Sequence, residues 1–274
     1  MDFCQCECIS RVVIGLDSAL RIVVFSIWLL LISSFATADY SLDVDLGGRS
    51  SVHSQALQKI AIEGVLVNSF NFTEQRPNPV SLRCLSTKQS ASYVGVELWA
   101  SIDAPIERVR AVLENFTEYK KIFIGFDDIV LLRQDANKAV VLWEQYIPIL
   151  PNIKYEMSYV FGQNKKRQFV YLFKLWDAHT IRFSDGVVLL EADGLKKTKF
   201  IEYDFFDANW GLLARSNNRI WNESVGGIYM SGVVVKLKAE HPDWSYEKIR
   251  AEAKDILVRF PVESAVKTRI SSGR

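Results

Sequence analysis

Residues 94–126 read VGVELWASIDAPIERVRAVLENFTEYKKIFIGF, and this stretch decides the fold. Val94, Val96, Leu98, Ala100 and Ile102 alternate with Gly95, Glu97, Trp99, Ser101 and Asp103. Alternation with period two marks a strand with two unlike faces. Asp103-Ala104-Pro105 stops that strand. Asp103 is placed to cap the next helix, and Pro105 suits a first helical turn, where an N–H would have no intrahelical partner. Ile106, Val109, Val112, Leu113 and Phe116 then fall at helical spacing, with Glu107, Arg108, Arg110 and Glu114 on the other side. A second short helical piece follows at Phe116-Thr117-Glu118-Tyr119.

Downstream, strands come quickly. Asp128–Arg133 and Lys138–Ile147 flank Gln134-Asp135-Ala136-Asn137, a turn by composition. Asn152–Gly162, Gln168–Trp176, Thr180–Glu191 and Lys197–Asp207 complete the series. Strands joined by short turns imply an antiparallel meander. One helix after the first strand and others at the end make the chain α+β rather than a parallel α/β fold. From Trp210 the period changes: Leu213, Ile220, Ser224, Ile228, Ser231 and Val235 share one helical face. Gly226, Gly227 and Gly232 are costly in a helix, so either it bends there or another surface comes close. A last helix spans Ser245–Phe260, ahead of a patternless tail.

The opening stretch resembles the start of a helix-grip domain, the superfamily of START-like lipid-transfer domains, polyketide cyclases and birch-pollen allergens. The strand ending in Ile102-Asp103-Ala104-Pro105, the helix with spaced valines and the aromatic segment Phe116–Tyr119 carry the resemblance, which covers Tyr93 to Glu240. It implies a curved antiparallel sheet wrapped around a long C-terminal helix. It also implies a hydrophobic small molecule or lipid held between the two, and no cofactor. The domain is expected over 91–240, with 241–274 as a C-terminal helix and tail.

Ahead of the domain, residues 22–35 are apolar, are preceded by Arg11 and Arg21 and are followed by Ala36-Thr37-Ala38. This describes a signal peptide over 1–38, and hence a periplasmic or secreted protein. The competing expectation is an uncleaved anchor through 22–35 and contact with a membrane. Residues 39–90 read as an extension packed on the domain. Lys+Arg 33 against Asp+Glu 32 gives a formal charge of +1, which argues against nucleic acid as a partner. The basic runs Lys165-Lys166-Arg167 and Lys196-Lys197 read as solvated turns. Cys4, Cys6 and Cys8 crowd one end, Cys84 stands apart, and three scattered histidines suggest no metal site.

The strands are rich in large aromatics, and Tyr155, Met157, Tyr159 and Phe161 share one face of a single strand. A cavity lined by Trp143, Tyr155, Met157, Tyr159, Tyr171, Phe173, Tyr203 and Ile228 is the functional expectation, with tyrosine hydroxyls fixing a polar end. An ordinary packed core is the competing one. Among charged strand residues, alternation sends Glu156 and Lys174 to solvent. Glu144 shares a face with Leu142 and Tyr146 and is the candidate polar group in the cavity. Glu202 and Asp204 also interrupt an apolar run and receive no assignment. No nucleophile elbow, zinc-protease motif or phosphate loop occurs, so no catalytic set is expected. A cyclase-type enzyme would need a polar dyad, such as Glu144 with a tyrosine or Arg182.

Overall fold

The computed structural model describes residues 48–49, 51–70, 72, 79–85, 94–145, 153–179, 181–207 and 218–259. The expected signal peptide, Trp210, Leu213 and the tail from Pro261 lie outside the described residues. Helix α1 (Ser54–Glu63) and strand β1 (Ser81–Cys84) come first. They precede β2 (Val94–Ile102), α2 (Ile106–Glu114), a 3-10 turn at Phe116–Glu118 and α3 (Tyr119–Ile122). Six strands follow: β3 (Phe126–Gln134), β4 (Lys138–Gln145), β5 (Ile153–Gln163), β6 (Phe169–Ala178), β7 (Phe183–Ala192) and β8 (Thr198–Asp207). Helices α4 (Asn218–Glu240) and α5 (Tyr246–Arg259) end the described chain.

All eight strands form one curved antiparallel sheet in the order β1-β2-β8-β7-β6-β5-β4-β3. Strands β3 to β8 are the expected meander, and β2 pairs with β8 to extend it. The inner face of this sheet packs on α4, which is the helix-grip arrangement. Val96, Leu98, Ala100 and Ile102 are fully buried in that core, where alternation places them. Gly232 explains the small residues on α4: a Cβ there would meet Leu98 Cδ1 at 3.2 Å, so glycine lets the helix settle on β2. Thus the close-approach alternative holds at Gly232, within an α4 assigned as one helix over Asn218–Glu240.

The corner after β2 differs from the sequence expectation. The residue at the α2 N-cap is Pro105, with no side-chain cap, and Asp103 lies two residues too early to serve. Asp103 instead pairs with Lys197 at 2.9 Å, and its backbone N–H donates to Glu240 Oε1 at 2.7 Å. It ties the corner to the end of α4.

The described residues of 39–90 add an edge strand to the sheet and a cover to its outer face. Their Ser81–Cys84 segment is the edge strand β1, paired along β2. Their helix α1 covers the outer face of the sheet. Leu57, Ala61 and Val67 cluster there with Val160, Val170, Leu172, Val187, Leu189 and Ile201. Strands β5 to β8 are therefore buried on both faces. Strands covered on both sides read as continuous apolar runs, which accounts for Val187-Val188-Leu189-Leu190. Lys174 is a second departure: it lies opposite the inner face, yet it is only 8% exposed. It pairs in register with Asp185, where Ser51 and Ser54 hydroxyls donate to the Asp185 carboxylate. The basic turns at 165–167 and 196–197 are exposed, as expected. Among the described residues, no helix is long and apolar enough to cross a membrane, and no group of three or more metal-ligating side chains occurs.

Candidate functional site

The inner face and α4 do not fill the space between them. A cavity of about 280 Å³ remains, at the low end of the usual range for small-molecule pockets. Its floor is an aromatic ladder across β4, β5 and β6. Trp143 pairs in register with Tyr155, their rings parallel at 6.4 Å, and Tyr159 pairs with Phe173 at 6.0 Å. Such cross-strand aromatic pairs gain stability beyond their buried area, so the ladder is a rigid wall. Met157 and Tyr171 complete this wall, and Leu113, Tyr119 and Phe123 close it from the α2–α3 side.

Helix α4 presents Ser224, Gly227, Ile228 and Ser231 to the same space, residues three and four apart on one face. Small side chains are why the space is open. A Cβ built on Gly227 would meet nothing within 4 Å.

Seven of the nine sequence candidates line this cavity: Trp143, Tyr155, Met157, Tyr159, Tyr171, Phe173 and Ile228. Two do not. Glu144 sits on the opposite face of β4 from Trp143, where it pairs with Lys154 at 2.9 Å. Strand alternation forces the two faces apart, and the shared parity of Glu144 and Leu142 leads outward. Tyr203 also points outward and packs against the α1-side cluster with Trp99 and Phe205. The dyad of Glu144 with Arg182 is absent as well, since Arg182 contacts Asp207 at 3.6 Å.

The polar groups of the cavity are instead Glu202 and Asp204, two residues apart on β8 and therefore on one face. Both share that face with Phe200 and Phe206, and this parity was the available sequence signal. Glu202 is 6% exposed. Burial holds its carboxyl well above the usual carboxylate range, the neighbouring Asp204 adds to this, and a hydrogen bond with Ser231 opposes it. Burial first, and the Asp185 carboxylate second, push Asp204 up to about 7. Asp204 Oδ1 is buried without a hydrogen-bond partner among the described residues. Unpaired buried polar atoms are costly and rare in folded proteins.

The four cavity tyrosines divide. Tyr119 donates to the Leu113 carbonyl at 2.5 Å and Tyr171 to Glu114 Oε1 at 2.9 Å, so those hydroxyls have partners in the protein. Tyr155 and Tyr159 stand on the β5 wall, and both feel the Asp204 carboxylate. Burial raises all four phenols, keeping them neutral donors at physiological pH. No lysine, arginine or histidine is among the described residues that line the cavity.

No family model and no curated protein matches the sequence. Solved structures resemble it remotely. Human STARD10 is 14% identical, with a TM-score of 0.48 over 71% of this chain and 82% of its own. The Zhui aromatase/cyclase from Streptomyces sp. R1128 is 16% identical, with a TM-score of 0.44 over 54% and 94%. A STAR-related lipid transfer protein from Xanthomonas axonopodis is 10% identical, with a TM-score of 0.43 over 65% and 94%. At this distance they name no ligand for this chain.

Proposed function

We propose that this chain is a binding protein that holds a lipid or other hydrophobic molecule in the cavity between its sheet and α4. The observation that carries the reading is the unfilled space itself. A sheet and helix with this much aromatic surface normally interdigitate to crystal-like density. Here Ser224, Gly227 and Ser231 leave about 280 Å³ open beneath an aromatic wall, with two carboxyls and two tyrosine hydroxyls at its surface. A concave, largely apolar site with a few convergent polar groups is what small-molecule recognition requires. The volume suits a single chain or ring system rather than a two-chain lipid.

Export accompanies this reading. The apolar run 22–35 with Ala36-Thr37-Ala38 behind it supports a cleaved signal peptide and ligand capture outside the cytoplasm. Intact-mass measurement of the exported protein tests it. A mass beginning at Asp39 agrees, and retention of 22–35 replaces export with membrane anchoring.

Native mass spectrometry of the purified protein, with organic extraction, tests ligand binding. A bound apolar molecule at one per chain is expected. Protein that stays empty after incubation with total lipid extract refutes the proposal.

A cyclase-type enzyme is the second reading, and Asp204 favours it. A carboxyl pushed up to about 7 is suited to proton transfer at neutral pH. If a bound polyketide or other carbonyl ligand is recovered at unchanged mass and unchanged connectivity after prolonged incubation, this second reading falls.

A further inference from the structure

From the charges lining the cavity we infer that its ligand carries a protonated amine on an apolar body, with Glu202 and Asp204 as the amine's partners. This rests on the reading of the cavity as a binding site and adds the chemical class of what enters.

Three observations lead there. First, the two carboxyls lie on one face of β8 and both open into the cavity. Second, Asp204 Oδ1 is buried and accepts no hydrogen bond from the described residues, so the carboxyl group that lines the cavity is short of a donor. Third, no lysine, arginine or histidine is among the described residues that line the space. A buried charge is tolerated when it is paired, and here the missing partner is positive. An anionic head group would meet two carboxyls and no counter-charge.

The surroundings of the pair are otherwise neutral or negative. Across the register, β2 offers Val96 and Leu98, and β7 offers Gly186 and Val188. Helix α4 offers Ser224 and Ser231, and the β5 wall and α3 offer Tyr155, Tyr159 and Tyr119. On the outer face, where Asp185 and Lys174 are in register, the Asp185 carboxylate opposes ionisation of Asp204. Unliganded, the pair therefore holds protons near neutrality. An ammonium group favours the ionised carboxylates, so its binding releases protons and strengthens as pH rises from 5 to 8. Over that range a simple alkylamine stays charged, as lysine does. The aromatic faces of Tyr155 and Trp143 add a second attraction for a cation.

The test compares three probes with one ten-carbon chain, decylamine, decanol and decanoate, titrated calorimetrically into the full-length protein at pH 5, 6, 7 and 8. Decylamine is expected to bind at least tenfold more tightly than decanol at pH 8. Its advantage should shrink toward pH 5, and decanoate should bind weakest. The Glu202→Gln, Asp204→Asn double variant should bind decylamine no more tightly than decanol. Circular dichroism checks that it folds; if it does not, the probe series on the natural protein decides alone. Decanoate or decanol binding as tightly as decylamine overturns the inference and leaves a cavity that takes apolar molecules. Absence of binding by all three removes the cavity reading itself, and the inference with it.

Discussion

Gly227 offers a test in which stability and binding move in opposite directions. It lies on α4 facing the cavity, and a Cβ there meets nothing within 4 Å. Glycine in a helix interior costs about 1 kcal/mol against alanine. Gly227→Ala should therefore raise stability by about 0.5–1 kcal/mol, because no clash offsets the gain. For a protein of this size that is about 2–4 °C in Tm per kcal/mol. Gly227→Trp carries the argument further. In a packed core such an insertion forces side chains off their rotamers, at a cost of about 1–3 kcal/mol or more. In an empty cavity the indole occupies the space a ligand would use, so Tm should hold or rise while ligand occupancy falls at least tenfold. Thermal denaturation by circular dichroism reads the first quantity and native mass spectrometry the second. If both variants lose stability, the space beneath α4 is filled by the protein. If the Trp variant is stable and keeps its full ligand, the ligand lies elsewhere.

The carboxyls of β8 predict a pH dependence of folding. Asp204 has a folded value of about 7, above that of an unfolded aspartate, so the folded state keeps a proton that the unfolded chain gives up. Stability should thus fall as pH rises from about 4 to about 7, then level with respect to this group. Glu202, raised by the same burial, adds to the fall. Asp204→Asn should flatten the profile, as measured by urea midpoints across pH. A profile unchanged in the variant would show that Asp204 is not buried as described. On the outer face, Leu57 is 2% exposed in the α1 cluster. Leu57→Ala should cost about 2–5 kcal/mol. Since that cluster lies on the other side of the sheet, decanol affinity should not change in the folded variant. A loss of affinity would mean the two faces are coupled.

Much of the fold was legible because its signals are local. The alternation through Val94–Ile102, the turn residues between strands and the period change before α4 each arise within about ten residues. Each strand they mark is present within a few residues of its expected ends, and the expected start of α4 near Trp210 lies outside the described residues. The Asp103 cap failed for a tertiary reason. Its side chain has a partner in Lys197 and its backbone one in Glu240, and no property of the local sequence announces either. Within 39–90, the local sequence likewise does not announce which strands its elements pack on. An edge strand of four residues has little pattern of its own, and Leu82-Arg83-Cys84 gains its identity from pairing with β2. The cover that α1 provides is written on its partner strands instead, as apolar residues on both parities of β7.

The site was legible where strand parity was followed and illegible where the usual exposure of charge was trusted. Tyr155, Tyr159 and Phe173 were assigned by alternation, and the structure puts them on one wall. Carboxylates, however, are seldom buried without a partner, and Glu202 and Asp204 were left without an assignment. Parity places them inward, since both lie in step with Phe200 and Phe206, which are core and cavity residues. Tyr203 was included among the strand aromatics without its parity being weighed, and it faces outward. When the two rules disagree, the backbone must win, because adjacent residues of a strand cannot face the same way. The cost of obeying it then falls on two acids at the cavity, where no cation is among the described lining residues, and the proposed ammonium ligand would supply that partner.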